Sequence, residues 1–225
     1  MTPLFKSHFS IGKSILTIDK IIELSEGEEV IVVEDCFYSF RKFVNKTNES
    51  NKSLRFGLRI DCKADSEKSK VVIFAKNAQG IKSLMKLYTK AYCYNDGCCD
   101  FSDLKNKDFL ICFPFYDSFV HKSIHNFGDH FLPFNELENP IFFEEDNSHP
   151  FDYQIKRQLK KMGCETTKAK TILYENKSDF PSFQCYKASC SRKVGRKPPS
   201  FEAPELEDCS SDRFCWEDFK ETNEK

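Results

Sequence analysis

Residues 71–92, VVIFAKNAQGIKSLMKLYTKAY, constrain the fold of this 225-residue chain more than any other stretch, because a buried strand runs directly into an amphipathic helix. Val71, Val72, Ile73 and Phe74 form a short apolar run of strand type. Asn77 stands where a helix N-cap belongs, with a side-chain oxygen suited to an orphan N–H of the first turn. Beyond it, Ile81, Leu84, Met85 and Tyr88 recur at the i, i+3, i+4, i+7 spacing of one helical face. Lys82, Lys86 and Lys90 fall away from that face, so the spacing predicts the first set toward the core and the lysines toward water. Such a joint is one strand–helix unit of an α/β fold.

The rest of the chain repeats the alternation. Ile18, Ile21, Ile22 and Leu24 trace a short helix capped by Thr17, with Asp19 favourably placed in its first turn. Residues 30–33 read as a buried strand and 38–44 as a helix, while 45–52, rich in Asn and Ser, read as a loop. Strands are predicted at 54–60, interrupted by Gly57, and at 109–113, 141–143 and 171–174, with a turn at 94–99. Asp152 opens a helix through Lys161 whose apolar members Phe151, Ile155 and Leu159 share one side. Strands alternating with helices predict a largely parallel sheet, and periodicity alone leaves it either open or closed into a barrel.

From residue 189 the composition changes to prolines and charge blocks, dividing the chain into a domain at 1–188 and a C-terminal arm at 189–225. Phe214, Trp216 and Phe219 predict that part of the arm packs back on the domain. Arg192, Lys193, Arg196 and Lys197 lack interleaved aromatic residues and precede an acidic run at 202–208. They read as a solvated arm rather than a strong nucleic-acid patch.

Lys and Arg total 34 against 35 Asp and Glu, so no global field draws the chain to nucleic acid or anionic lipid. No apolar run approaches the roughly 18 residues that span a bilayer, and residues 1–16 lack the pattern of a secretion signal. The expectation is a cytoplasmic protein with no membrane partner. Eleven cysteines without an export signal read as reduced thiols. Cys185, Cys190, Cys209 and Cys215 are one candidate zinc set, although neither pair has the tight spacer of a zinc knuckle. His121 and His125, four apart and followed by His130, have ligand spacing but no carboxylate partner of the zinc-protease kind.

The segment at 71–92 also resembles, through Ala75, Lys76, Asn77, Gly80, Leu84, Lys86, Leu87, Ala91 and Tyr92, a block of the PHP (polymerase and histidinol phosphatase) domain of bacterial DNA polymerase III alpha subunits. Further words are similar to other parts of that domain: FKSHFS at 5–10, EDC at 34–36, FGLRI at 56–60, the stretch 141–163, and SDFPSF at 178–183. KSHFSIGKSILT and FPFYDSF resemble the compact, free-standing version that phages carry. The resemblance implies a distorted (β/α)7 barrel of the PHP type with a short C-terminal arm, a role in phage DNA replication, and an infected bacterial cell as its setting.

A PHP phosphoesterase needs hard metal ions held by imidazole and carboxylate to generate hydroxide and clamp phosphoryl oxygens. Matching Ser7, Phe9 and Ser10 to the first family motif puts Leu4 and Lys6 at its two His positions, and a one-step shift would place His8 at the second. Asp35 and Cys36 match the Asp-His motif, while Arg59 stands where a Glu ligand is expected, with Asp61 two residues on. His149 matches a family His, the closing motif has no His after Ile172, and Glu175 is a loose stand-in for its Asp. Leucine binds no metal, and lysine and arginine bring fixed positive charge.

Two readings follow from the resemblance. The first is a catalytically inactive PHP-like module that needs no cofactor and binds replication proteins or a DNA polymerase. The second is a divergent metal-dependent phosphoesterase or 3′–5′ exonuclease that uses Zn, Mn or Fe on a reduced set of His8, Asp35, Asp61 and His149.

Overall fold

The strand–helix joint at Asn77 is formed as its residues dictate. In the computed structural model, which describes residues 1–64, 67–125, 128, 130–190 and 211–224, strand β4 (Glu67–Ala75) leads into helix α3 (Ala78–Tyr94). The Asn77 side-chain oxygen accepts the Gly80 N–H at 2.8 Å, and its amide donates to Asp108 at 2.9 Å. Gly80 is required by close approach, since a Cβ there would lie 2.6 Å from the Asp108 carbonyl oxygen. That approach sets which side of α3 is buried. The inward residues are Gly80, Leu84, Leu87 and Ala91. Of the four positions assigned to the core by spacing, only Leu84 is fully buried, whereas Met85 is 42% exposed and Ile81 and Tyr88 are half-buried.

The remaining elements in chain order are β1 (Thr2–Phe5), α1 (Ile18–Leu24), β2 (Glu29–Glu34), α2 (Phe40–Glu49) and β3 (Ser53–Ala64) before the joint. After it come β5 (Cys98–Asp100), β6 (Phe109–Phe113), α4 (Phe119–His125), β7 (Ile141–Glu144), α5 (Asp152–Lys161), β8 (Thr166–Ile172), α6 (Phe180–Cys190) and α7 (Trp216–Asn223). Helix α2 continues through the polar stretch expected to be a loop. Phe43 and Thr47, four apart, are both buried, and the Thr47 hydroxyl donates back to the Phe43 carbonyl at 2.8 Å. The last sheet strand begins at Thr166 rather than at 171, and beyond it Tyr174 makes a single bridge with Cys215.

The fold is mixed α/β, with seven strands closing into a barrel. The pairing order is β2, β1, β8, β7, β6, β4, β3 and back to β2, and short β5 adds to β3. Pairing is parallel from β2 through β1, β8 and β7 to β6. It is antiparallel where β4 meets β3 and β6, so the sheet is largely parallel, as expected, without being wholly so. In the β3–β4 pair Gly57 lies opposite Phe74, and a Cβ on Gly57 would come within 2.7 Å of that ring. Gly57 therefore fits the strand instead of interrupting it.

The chain divides into two compact units, and strands β3 and β8 each contribute to both. The first comprises Met1–Arg55, Asp146–His149 and Ala169–Lys225. Its core holds Phe5, Ile21, Val30, Val32, Phe43, Ile172, Tyr174, Phe183 and Phe214, all fully buried. Trp216 of α7 packs on Phe5 at 5.4 Å, and the ring of Phe219 stacks on Trp216 at 4.9 Å. The second unit comprises Phe56–Glu145 and Pro150–Lys168. Its core is aromatic, with Phe113 stacked on Phe142 at 4.6 Å and Phe119 edge-on to Phe113 at 5.6 Å. No helix among the described residues is long and apolar enough to cross a membrane.

Candidate functional site

Parallel strands of an α/β sheet present their functional groups at their C-terminal ends, so the ends of β1 and β2 in the first unit come first. Phe5 and Val32 are register partners, and the chain leaving β1 is Lys6–Ser7 while β2 ends at Glu34. Lys6 is 4% exposed and its ammonium donates to Asp35 at 2.9 Å. Glu34 is wholly buried and accepts the Ser7 N–H at 2.8 Å and the Ser10 hydroxyl at 2.6 Å. The Ser10 hydroxyl oxygen in turn accepts the Asp35 N–H at 3.0 Å. Burial raises the Glu34 carboxyl above its ordinary value of 4.5, and the two serine hydrogen bonds oppose that rise.

His8 is exposed. Its Nδ1 lies 3.1 Å from the Leu16 carbonyl, which can only accept, so that nitrogen carries the proton. The ring also leans on Phe9 at 4.5 Å. Leu4, at the position of a family histidine, is part of the core. The Cys36 thiol approaches the Phe9 carbonyl at 3.6 Å, and burial pushes its ionisation upward. His149 is buried. Glu175, the loose stand-in for a closing ligand, pairs with Lys20 at 2.8 Å. A buried pair in this unit, Lys170 with Asp218 at 2.6 Å, ties α7 to β8.

In the second unit, Arg59 of β3 donates its guanidinium to Asp117. Asp61, two residues further along β3, is the register partner of Lys70 on β4, and their side chains pair at 2.7 Å. His121 is buried and its Nδ1 accepts the Asp117 N–H at 3.2 Å, which places the proton on the other ring nitrogen. His130 meets Glu67 at 2.7 Å. The side chain of His125 lies outside the described residues.

Of the four candidate ligands, Asp35 and Asp61 each hold a lysine through their carboxylates. Among the described residues no three His, Cys, Asp or Glu side chains are grouped so that they could hold a metal ion. The described cysteines are free thiols; Cys185 and Cys190 are exposed and Cys215 is buried, while Cys209 and the charge blocks at 192–208 lie outside the described residues.

Motif spacing located Lys6 and Asp35, which pair with each other, and also Arg59 and Asp61, but not the partners of the latter two. Asp117 is 58 positions from Arg59 and has no local signal, whereas Lys70 was legible in principle as the residue facing Asp61 across a hairpin. Compared with known proteins, the chain matches no protein-family model and no curated protein sequence. The resemblance to the PHP domain rests on the residues quoted for it above.

Proposed function

We propose that this protein is a catalytically inactive module of the PHP type, with a (β/α)7-derived barrel, that serves phage DNA replication by binding a DNA polymerase or another replication protein in the host cytoplasm. One observation carries the reading: each carboxylate at a ligand-like position is neutralised by a cation of the chain itself. Lys6 pairs with Asp35 and Lys70 with Asp61, while Arg59, at the position of a ligand, pairs with Asp117. Two unit charges about 4 Å apart interact by about 4 kcal/mol at an effective dielectric of 20. A divalent ion set beside the Lys6 ammonium would meet about twice that as repulsion, before any ligand is displaced. The same position holding a neutral imidazole would contribute a bond instead.

The test combines metal content, cleavage and partner binding on the intact chain. The expected result is less than stoichiometric Zn, Mn or Fe by plasma mass spectrometry, no hydrolysis of a phosphodiester substrate, and a complex with the replicative polymerase or a replication protein on size-exclusion chromatography. Stoichiometric metal, with cleavage abolished in His149→Ala, would favour the phosphoesterase or exonuclease reading and overturn this one.

A further inference from the structure

The loops that leave β1 and β2 carry a set of side chains unrelated to metal binding. Tyr38 is 81% exposed and Ile11 76% exposed, while Phe9, Phe37 and Phe40 are half-buried at the surface. The two loops are braced against each other by the Ser7 and Ser10 bonds to Glu34, by Lys6–Asp35, and by the Cys36 thiol on the Phe9 carbonyl. Phe37 and Phe40 hold each other edge-to-face at 5.8 Å, and the Lys42 ammonium sits 4.8 Å above the Phe9 ring. Aromatic groups fixed before binding lose little conformational freedom on docking, the property of an interface hot spot.

Exposed cations stand beside these rings, and Asp35 of the same loops is held by Lys6. Arg41 and Lys42 are exposed and make no ion pair among the described residues, and α2 has no acidic residue in its first turn to offset the positive end of its dipole. A second copy of this chain would bring the same cations face to face, which disfavours self-association. A single-stranded nucleic acid would want open parallel ring faces, yet the Phe9 face is covered by Lys42 and the Phe37–Phe40 pair is edge-on. An aliphatic Ile11 in the same loops fits apolar side chains better than bases.

We infer that the Phe9, Ile11 and Tyr38 surface of the first unit, beside Arg41 and Lys42, docks a partner protein segment whose apolar residues are flanked by Asp or Glu. This rests on the interaction-module reading and names the surface that reading requires. The probe is a displayed library of random peptides of about twelve residues, panned on the intact chain. The expected peptides combine Phe, Leu or Trp with Asp or Glu. Their affinity should fall about tenfold or more in Tyr38→Ala and in Arg41→Glu, and by less than about twofold in Tyr94→Ala, an equally exposed tyrosine of the second unit. Both test positions are exposed, so an unchanged urea midpoint is expected to accompany the loss.

Peptides without acidic enrichment, affinity indifferent to both substitutions, displacement by oligothymidylate, or a homodimer dissolved by Tyr38→Ala would each overturn the inference. A polymerase or replication-protein complex that survives Tyr38→Ala would remove this surface alone. Failure to form any such complex would remove the reading beneath it.

Discussion

Lys6 and Lys170 are both buried lysines paired with a carboxylate, but the cost of breaking each pair differs. Asp35 keeps about a third of its side chain in water, whereas Asp218 is 8% exposed and Lys170 2% exposed by side chain. Lys6→Met leaves a carboxylate that water can reach, and urea denaturation should show a loss of about 1–2 kcal/mol. Asp218→Ala strands a buried ammonium, for which the expected loss is about 3–5 kcal/mol. Glu34 gives the pH prediction. Its folded ionisation lies above the ordinary 4.5, so the fold binds this proton more tightly than the unfolded chain does. Its contribution is complete below that ordinary value and is lost as pH rises through the raised folded one. Urea midpoints measured from pH 4 upward should therefore decline less in Glu34→Gln than in the natural chain, because the amide does not titrate; an unaltered slope would show that Glu34 is not the group responsible.

At the scale of elements, the strand–helix joint is the most legible part of the chain and offers the sharpest stability test. Asn77→Ala removes both the N-cap bond and the tie to Asp108, with an expected loss of about 1–2 kcal/mol by thermal or urea unfolding. Gly80→Ala should be at least as damaging, although alanine is the better helix former by about 1 kcal/mol, because its methyl would sit 2.6 Å from a backbone oxygen. A stabilised Gly80→Ala variant would contradict the packing described. The presence of α1, β2, β6, β7 and α5 was readable because each buries one stripe whose period shows in its own residues. What the sequence hid depends on distant partners. The buried side of α3 is chosen by Asp108 rather than by the helix's own spacing, α2 extends because Thr47 meets a core, and the antiparallel turn of β4 against β3 depends on register. Lys70 facing Asp61 became visible only once that register was known. Leu4, Lys6 and Arg59 were conspicuous as single residues out of place for a metal site, but the carboxylates that answer Lys6 and Arg59 lie 29 and 58 positions away in the chain.

For the whole molecule, the pairings give closed strand order and two compact units, each carrying its own internally neutralised carboxylates. The carboxylates of Asp35, Asp61 and Asp117 pair with Lys6, Lys70 and Arg59, while the first unit turns Ile11, Tyr38, Arg41 and Lys42 outward. On the proposed reading, such a module acts by presenting a surface for recognition. The most direct test of that account is the metal content of the intact chain after equilibration with excess Zn, Mn or Fe and removal of the free ion. The account predicts well under one ion per chain and the same value in Asp35→Asn. Two or more ions retained per chain, and lost in Asp35→Asn or His149→Ala, would contradict it.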